Sequence, residues 1–213
     1  MLEIIKHQLQ SFPIRSLGPT SQDQKNTAAV MIILHGDSAD PQLILTQRAA
    51  HLNNHAGEVA FPGGMWERND KDLLHTALRE TEEEIGLSSS LVTPIAMLPT
   101  GSPKTSDVKV YPFVGVAESP LKLIPQASEI AAIFDLPIAC LTDVERYQYF
   151  EIGTGADRVE LPYFPYKNYR IWGFTLHILV DMLNKTLSAD IRLRYPESAK
   201  INRLRQREKN QKS

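Results

Sequence analysis

One cysteine, Cys140, stands among the 213 residues. A lone thiol excludes an internal disulfide and suits a reducing compartment. Paired thiols and paired histidines at zinc-ligand spacing are also missing, so a structural zinc site is not expected. No apolar run reaches the ~20 residues needed to cross a bilayer. The opening Met1-Leu2-Glu3-Ile4-Ile5-Lys6 lacks a charged leader followed by an apolar core and a small-residue cleavage site. The closing Gln211-Lys212-Ser213 is not the Ser-Lys-Leu peroxisomal address. The expectation is a cytoplasmic chain with no membrane partner. Repeats are absent too, and 213 residues with 42% hydrophobic content suit one compact domain with modest extensions. Residues 1–26 read as an N-terminal helix and linker, 27–190 as the domain, and 191–213 as a tail.

Charge is nearly balanced at −2, but it is not evenly spread. The tail carries eight Lys or Arg against Glu197 and Glu208. Such asymmetry is one signature of nucleic-acid binding. With Tyr195 as its single aromatic residue, the tail has no base-stacking pattern, and a solvated or partly helical tail is the simpler account. A nucleic-acid partner is not expected. The tail's charge suits drawing polyanionic substrates toward the molecule.

What is present in excess is acid, at one place. Residues 79–87 read Arg-Glu-Thr-Glu-Glu-Glu-Ile-Gly-Leu, with four carboxylates in five positions. Like charges three or four apart on a helix cost about 0.2–0.5 kcal/mol per pair, so stability alone would disperse them. Glu80 and Glu84 share a helix face, and Glu83 lies at its edge. Carboxylate oxygens in this number suit a hard divalent ion such as Mg²⁺ or Mn²⁺. Upstream, Phe61-Pro62-Gly63-Gly64 makes a tight turn in which glycine lets the backbone approach a ligand. Asn69 or Asp70 is the expected helix cap. Leu74, Ala77, Leu78, Thr81 and Ile85 form the expected buried stripe, and Gly86 the left-handed stop.

The run from Gly64 to Leu87 resembles the Nudix box. Thr81 stands where an aliphatic residue is usual, and one extra residue separates turn from helix. The longer spacing resembles the coenzyme A diphosphatase branch of that family. The preceding segment agrees: Ile44-Leu45-Thr46-Gln47-Arg48-Ala49, then His55-Ala56-Gly57-Glu58-Val59-Ala60-Phe61-Pro62-Gly63-Gly64, looks like that branch's second motif. Ala49 replaces its usual Ser, and Asn53 stands where an Arg is common. An Arg fork grips an anion in a way that Asn does not reproduce.

The resemblance implies a Nudix-type α/β/α sandwich with a mixed sheet and hydrolysis of a diphosphate bond with Mg²⁺ or Mn²⁺. It implies Glu80 and Glu84 as principal metal ligands, with Glu83 and the carbonyl of Gly63 as further ones. Glu83, Glu129 and Arg79 are the expected catalytic set. Glu129 is a candidate base, and Arg79 an orienting partner that pairs with Glu83 at i+4. Glu58 also lies close enough to the turn to face the metals. Arg48, Asn53, His55, Gly57, Phe61 and Gly64 are the expected substrate contacts. The implied partner is a small nucleotide, and the resemblance also admits a homodimer. Three functions stay open. They are a coenzyme A diphosphatase yielding 3′,5′-ADP and 4′-phosphopantetheine, a hydrolase of another nucleoside diphosphate such as ADP-ribose or a dinucleotide, and a non-catalytic nucleotide- or RNA-binding module.

Along the rest of the chain, residues 2–12 read as a short amphipathic helix and 13–26 as a polar linker. Strands are expected at 28–34, 43–47, 92–98 and 108–116, and a hairpin at 147–166. Residues 170–187 begin as strand and continue as helix, with Ile171, Phe174, Ile178 and Met182 at helical intervals. Trp172 and His177 are expected in the core. The loop at 99–103 is expected to line a substrate cleft.

Overall fold

A computed structural model describes residues 1–16, 18, 26–52, 54–104, 106–155, 158–197 and 200–201. At its centre lies β1 (Thr27–Gly36), whose Ala-Ala-Val-Met-Ile-Ile-Leu run is apolar at every position because both faces of the strand are covered. Ile32 and Leu34 point into one core, and Ala29, Met31 and Ile33 into the other. Antiparallel to it run β2 (Pro41–Arg48) and the short β4 (Gly63–Met65). On the opposite edge β6 (Lys109–Ala117) runs parallel, flanked by antiparallel β5 (Val92–Met97). Both β3 (Val59–Ala60) and β7 (Ile130–Pro137) pair with β2, completing a seven-stranded mixed sheet.

Helix α2 (Leu73–Ile85) covers one face through Leu73, Ala77 and Ile85. The other face carries α1 (Leu2–Leu9) and α4 (Gly173–Leu187), whose Ile5, Leu9, Leu179 and Leu183 share a core with Ile32 and Leu34. A four-residue helix, α3 (Ile138–Leu141), follows β7. A second sheet of β8 (Gln148–Ile152), β9 (Val159–Tyr166) and β10 (Tyr169–Trp172) sits beside them. Layers of helix, sheet and helix make the expected α/β/α sandwich. Among the described residues, no helix is long and apolar enough to cross a membrane.

Several local expectations change. Asp72, rather than Asn69 or Asp70, caps α2, its backbone extended and its carboxylate accepting the His75 N–H at 2.9 Å. Asp70 is taken up elsewhere, by Arg79, Thr76 and the backbone of Glu67. Leu73 replaces Leu74 as the fully buried residue of the first turn, Leu74 and Leu78 being half-buried. His177 is exposed rather than in the core, flanked by the rings of Phe174 and Tyr195. Trp172 is half-buried, edge-on to Phe150. The strand at β7 has no clear sequence signal, because Ala131 and Ala132 interrupt its alternation. Gly86 does end α2 in the left-handed region, at φ 68°.

Candidate active site

Two glycines are demanded for different reasons. Gly63 has φ +149°, and a Cβ there would lie 2.4 Å from the carbonyl oxygen of Ala29. Only glycine lets β4 lie this close to β1. At Gly64 a Cβ would meet the Glu80 carboxylate carbon at 2.4 Å. That side chain therefore occupies the space a larger residue would claim.

From one turn further along α2, Glu84 reaches the same bend. It is 5% exposed, and its Oε2 accepts the Gly63 N–H at 3.1 Å. Its Oε1 lies 3.7 Å from Arg48 Nη1, at the end of β2. Burial, reinforced by the negative charges of Glu80 and Glu129, pushes the Glu84 carboxyl up to about 7, against the Gly63 hydrogen bond and Arg48. Glu80 is raised as well, burial outweighing its ion pair with Arg79, with Glu83 and Glu129 adding repulsion.

Glu129 enters this field from the segment before β7. The Gln126 N–H donates to the Glu84 carbonyl at 2.9 Å, and the Glu129 carbonyl accepts the Ala49 N–H at 2.7 Å. These bonds hold the segment against the C-terminal turn of α2 on one side and the end of β2 on the other.

Arg79 is a hub. Its Nε and Nη2 form a fork on Asp70 at 2.9 and 3.1 Å, Nη2 also donates to the Met65 carbonyl at 3.3 Å, and Nη1 donates to Glu83 at 3.0 Å. Nη2 further lies 3.0 Å from Glu80 Oε1. Burial opposes ionisation of Asp70, but hydrogen bonds from Arg79, the Glu67 N–H, Thr76 and His75 hold its carboxyl well below the usual range. The expected Arg79–Glu83 pair is present. Asp70, the anchor that orients Arg79, has no periodic signal, and the spacing of acid and Arg alone did not distinguish it from a helix cap.

Glu83 is largely exposed and turned to Arg79. Among the described residues, no three ligating side chains converge as a ready cage. The buried carboxylate of Glu84 and the half-buried one of Glu80 converge on the Gly63-Gly64 bend with like charge opposing like. A hard divalent cation fits that donor set, because its charge offsets both the burial that chiefly raises the two groups and the repulsion that adds to it.

The remaining expected contacts fall into three groups. Arg48 is partly buried, and its Nε finds no acceptor among the described residues. His55, at φ 56°, lies with Nδ1 2.9 Å from Glu58 Oε2, and that bond raises its proton affinity despite burial and the nearby Arg48. Glu58 is thereby paired with His55. Gly57 has φ +73° and donates to the Arg48 carbonyl at 3.2 Å. Phe61 is 4% exposed and packs in the core with Val59, so its ring supports the bend from below. Asn53 lies outside the described residues.

The NUDIX domain profile matches residues 25–149. Nudix hydrolase 15, mitochondrial, of Arabidopsis thaliana is 36% identical over 182 residues, covering 80% of this chain and 64% of that protein. This chain therefore spans less than two thirds of that relative's length. The uncharacterized Nudix hydrolase NudL of Pectobacterium atrosepticum is 34% identical over 176 residues, covering 83% and 88% of the two chains. Among solved structures, a MutT/nudix family protein from Enterococcus faecalis aligns with TM-score 0.48 at 16% identity, over 82% of this chain and 66% of that one.

Proposed function

Since the chain belongs to the Nudix family, we infer that it hydrolyses the diphosphate bond of coenzyme A or an acyl-CoA, giving 3′,5′-ADP and (acyl-)4′-phosphopantetheine. One observation carries the reading. The segment 44–64, similar to the coenzyme A diphosphatase motif, brings Arg48 to 3.7 Å from Glu84 at the same bend that Glu80 reaches.

A diphosphate is shielded from nucleophiles by its own negative oxygens, so catalysis needs charge neutralised and a water held in line. Glu80 and Glu84 would hold Mg²⁺ or Mn²⁺, joined by Glu83 and the Gly63 carbonyl. Such an ion, when bound, offsets phosphate charge and lowers the pKa of a coordinated water. Arg48, with its free Nε, grips a phosphate oxygen beside Glu84. Arg79, fixed by Asp70, keeps Glu80 and Glu83 directed at the site. Glu129 sits within the field of both ligands and accepts the proton from the attacking water. His55 and Gly57 shape the loop that carries Arg48. The reaction belongs in the cytosol, in keeping with the single cysteine, and a homodimer is compatible with it.

Another nucleoside diphosphate is the second reading, favoured by Asn53 in place of the branch's Arg. A non-catalytic nucleotide- or RNA-binding module is disfavoured by the intact acids, which repel one another to no structural benefit. A substrate panel with Mg²⁺ and Mn²⁺ tests the assignment. Coenzyme A is expected to turn over faster than ADP-ribose, and the opposite order rejects coenzyme A as the substrate.

A further inference from the structure

The turn that follows β2 carries a side chain outside both the acid cluster and the expected substrate contacts. His51 lies exposed just beyond Arg48, in a turn closed by the Leu52 N–H donating to the Ala49 carbonyl at 3.3 Å. Its Nε2 is 3.1 Å from the carbonyl oxygen of Ser128. A carbonyl only accepts, so Nε2 carries the proton and donates it.

What this bond holds is the backbone of Glu129. Two peptide groups flank the Glu129 Cα, and all four of their polar groups are engaged. In the Ser128–Glu129 peptide the oxygen accepts from His51, while the N–H donates to the Gln126 carbonyl at 2.9 Å. In the Glu129–Ile130 peptide the oxygen accepts the Ala49 N–H at 2.7 Å, while the N–H donates to the same Gln126 carbonyl at 2.8 Å. Each peptide is planar, so fixing both planes sets φ and ψ of Glu129 and with them the direction of its Cα–Cβ bond. Three of the four partners are backbone groups, and the fourth is the His51 side chain.

The frame is fastened to the acid site on both sides. Gln126 donates its own N–H to the Glu84 carbonyl at 2.9 Å, in the last turn of α2. Ala49 and His51 follow Arg48, whose N–H donates to the Glu58 carbonyl at 3.0 Å. The charge of Glu129 in turn adds to the repulsion at both Glu80 and Glu84.

We propose that His51 is a positioning residue for the hydrolysis, holding the Ser128 carbonyl so that the Glu129 carboxylate is aimed at the Glu80–Glu84 site. The proposal rests on the reading of Glu129 as proton acceptor and extends it. Without His51 the Ser128–Glu129 peptide keeps only its N–H bond and can tilt about it. A base must stand within about 2.6–3.2 Å of the atom whose proton it takes, and a misplacement of about 1 Å is enough to slow the reaction by an order of magnitude or more.

Turnover with Mg²⁺, on whichever of coenzyme A and ADP-ribose the wild type hydrolyses faster, tests the role. His51→Ala is expected to lower kcat about tenfold with KM within twofold. His51→Gln offers a side-chain N–H at about the same reach as Nε2, and should restore kcat to within threefold of wild type. In a Glu129→Gln background, His51→Ala should change kcat by less than twofold, because the group it aims is gone. Amide hydrogen exchange at Glu129 should quicken several-fold in His51→Ala and recover in His51→Gln. A His51→Ala kcat within twofold of wild type, a loss that His51→Gln leaves in place, a full loss repeated in the Glu129→Gln background, or unchanged exchange at Glu129 each overturn the proposal. Glu129→Gln alone with wild-type kcat rejects Glu129 as the base and the role of His51 with it, a failure told apart from the others because it shows in that single variant.

Discussion

Burial, with the negative charges of Glu80 and Glu129 adding to it, pushes the Glu84 carboxyl up from its ordinary 4.5 to about 7. The folded chain therefore binds this proton more tightly than the unfolded one. The stabilisation is complete below about 4.5 and is lost as pH rises through about 7, an amount on the order of 3 kcal/mol. Metal-free wild type should lose stability against Glu84→Gln between pH 5 and pH 8, as urea denaturation at each pH would show. A constant difference across that range would mean that Glu84 is not strained. With Mg²⁺ present, the same variant should lose turnover by a factor of about a hundred or more, because the proposed ligand and its charge are removed together. Gly64 makes the complementary case. Gly64→Ala places a methyl where the Glu80 carboxylate lies, so Mg²⁺ affinity by calorimetry should fall while the melting temperature changes little. Unchanged affinity would detach Glu80 from the ion.

At the scale of elements, α2 works as a rigid bracket whose start and end are fastened separately. Asp72 caps its first turn, Gly86 closes its last, and the 124–129 segment bonds to the carbonyls of Glu84 and Ile85. The Asp70–Arg79 fork ties the helix to the loop that leaves β4. Asp70→Asn would leave the Arg79 guanidinium short of a carboxylate in a largely buried place, and breaking a buried pair costs about 3–5 kcal/mol. Arg79 retains some solvent contact, so about 2–4 kcal/mol is the expected loss in denaturant unfolding. Because Asp70 is held below the carboxylate range, its contribution is present above about pH 4 and fades as pH falls further. The variant should flatten that acid loss, and turnover should drop with KM little changed as Glu80 and Glu83 lose their support. A rise in KM alone would instead place Asp70 in substrate binding. The cap at Asp72 and the undetected β7 show the limit of reading elements singly. A carboxylate's competing partners, and a strand whose alternation is broken by Ala131 and Ala132, are decided by neighbours distant in sequence.

For the whole molecule, both faces of the sheet must be covered, and α1 shares this task with α4. Leu9 is fully buried within the core that contains Leu179 and Leu183. Leu9→Ala should cost about 2–5 kcal/mol in urea unfolding by leaving a cavity, and a loss under 1 kcal/mol would mean that α1 docks loosely. Its membership of that core could not be read from residues 2–12 alone, since amphipathic spacing announces a buried face without naming its partner. By contrast, the continuous apolar run of β1, the Glu80–Glu84 helix face, the Gly86 stop and the passage from β10 into α4 were legible, because each depends on local periodicity or on the backbone freedom of one residue. The crowding of acids beside a diglycine turn was legible as well, since no local force favours crowding like charges, and the structure brings Glu80 and Glu84 to that turn. Tertiary structure alone decided that Asp70 anchors Arg79, that Phe61 lies in the core, that His177 faces outward and that the 98–101 segment encloses a cavity with α4. Those outcomes turn on which buried groups meet across the sheet, and contacts between distant parts of a chain leave no periodic trace in its sequence.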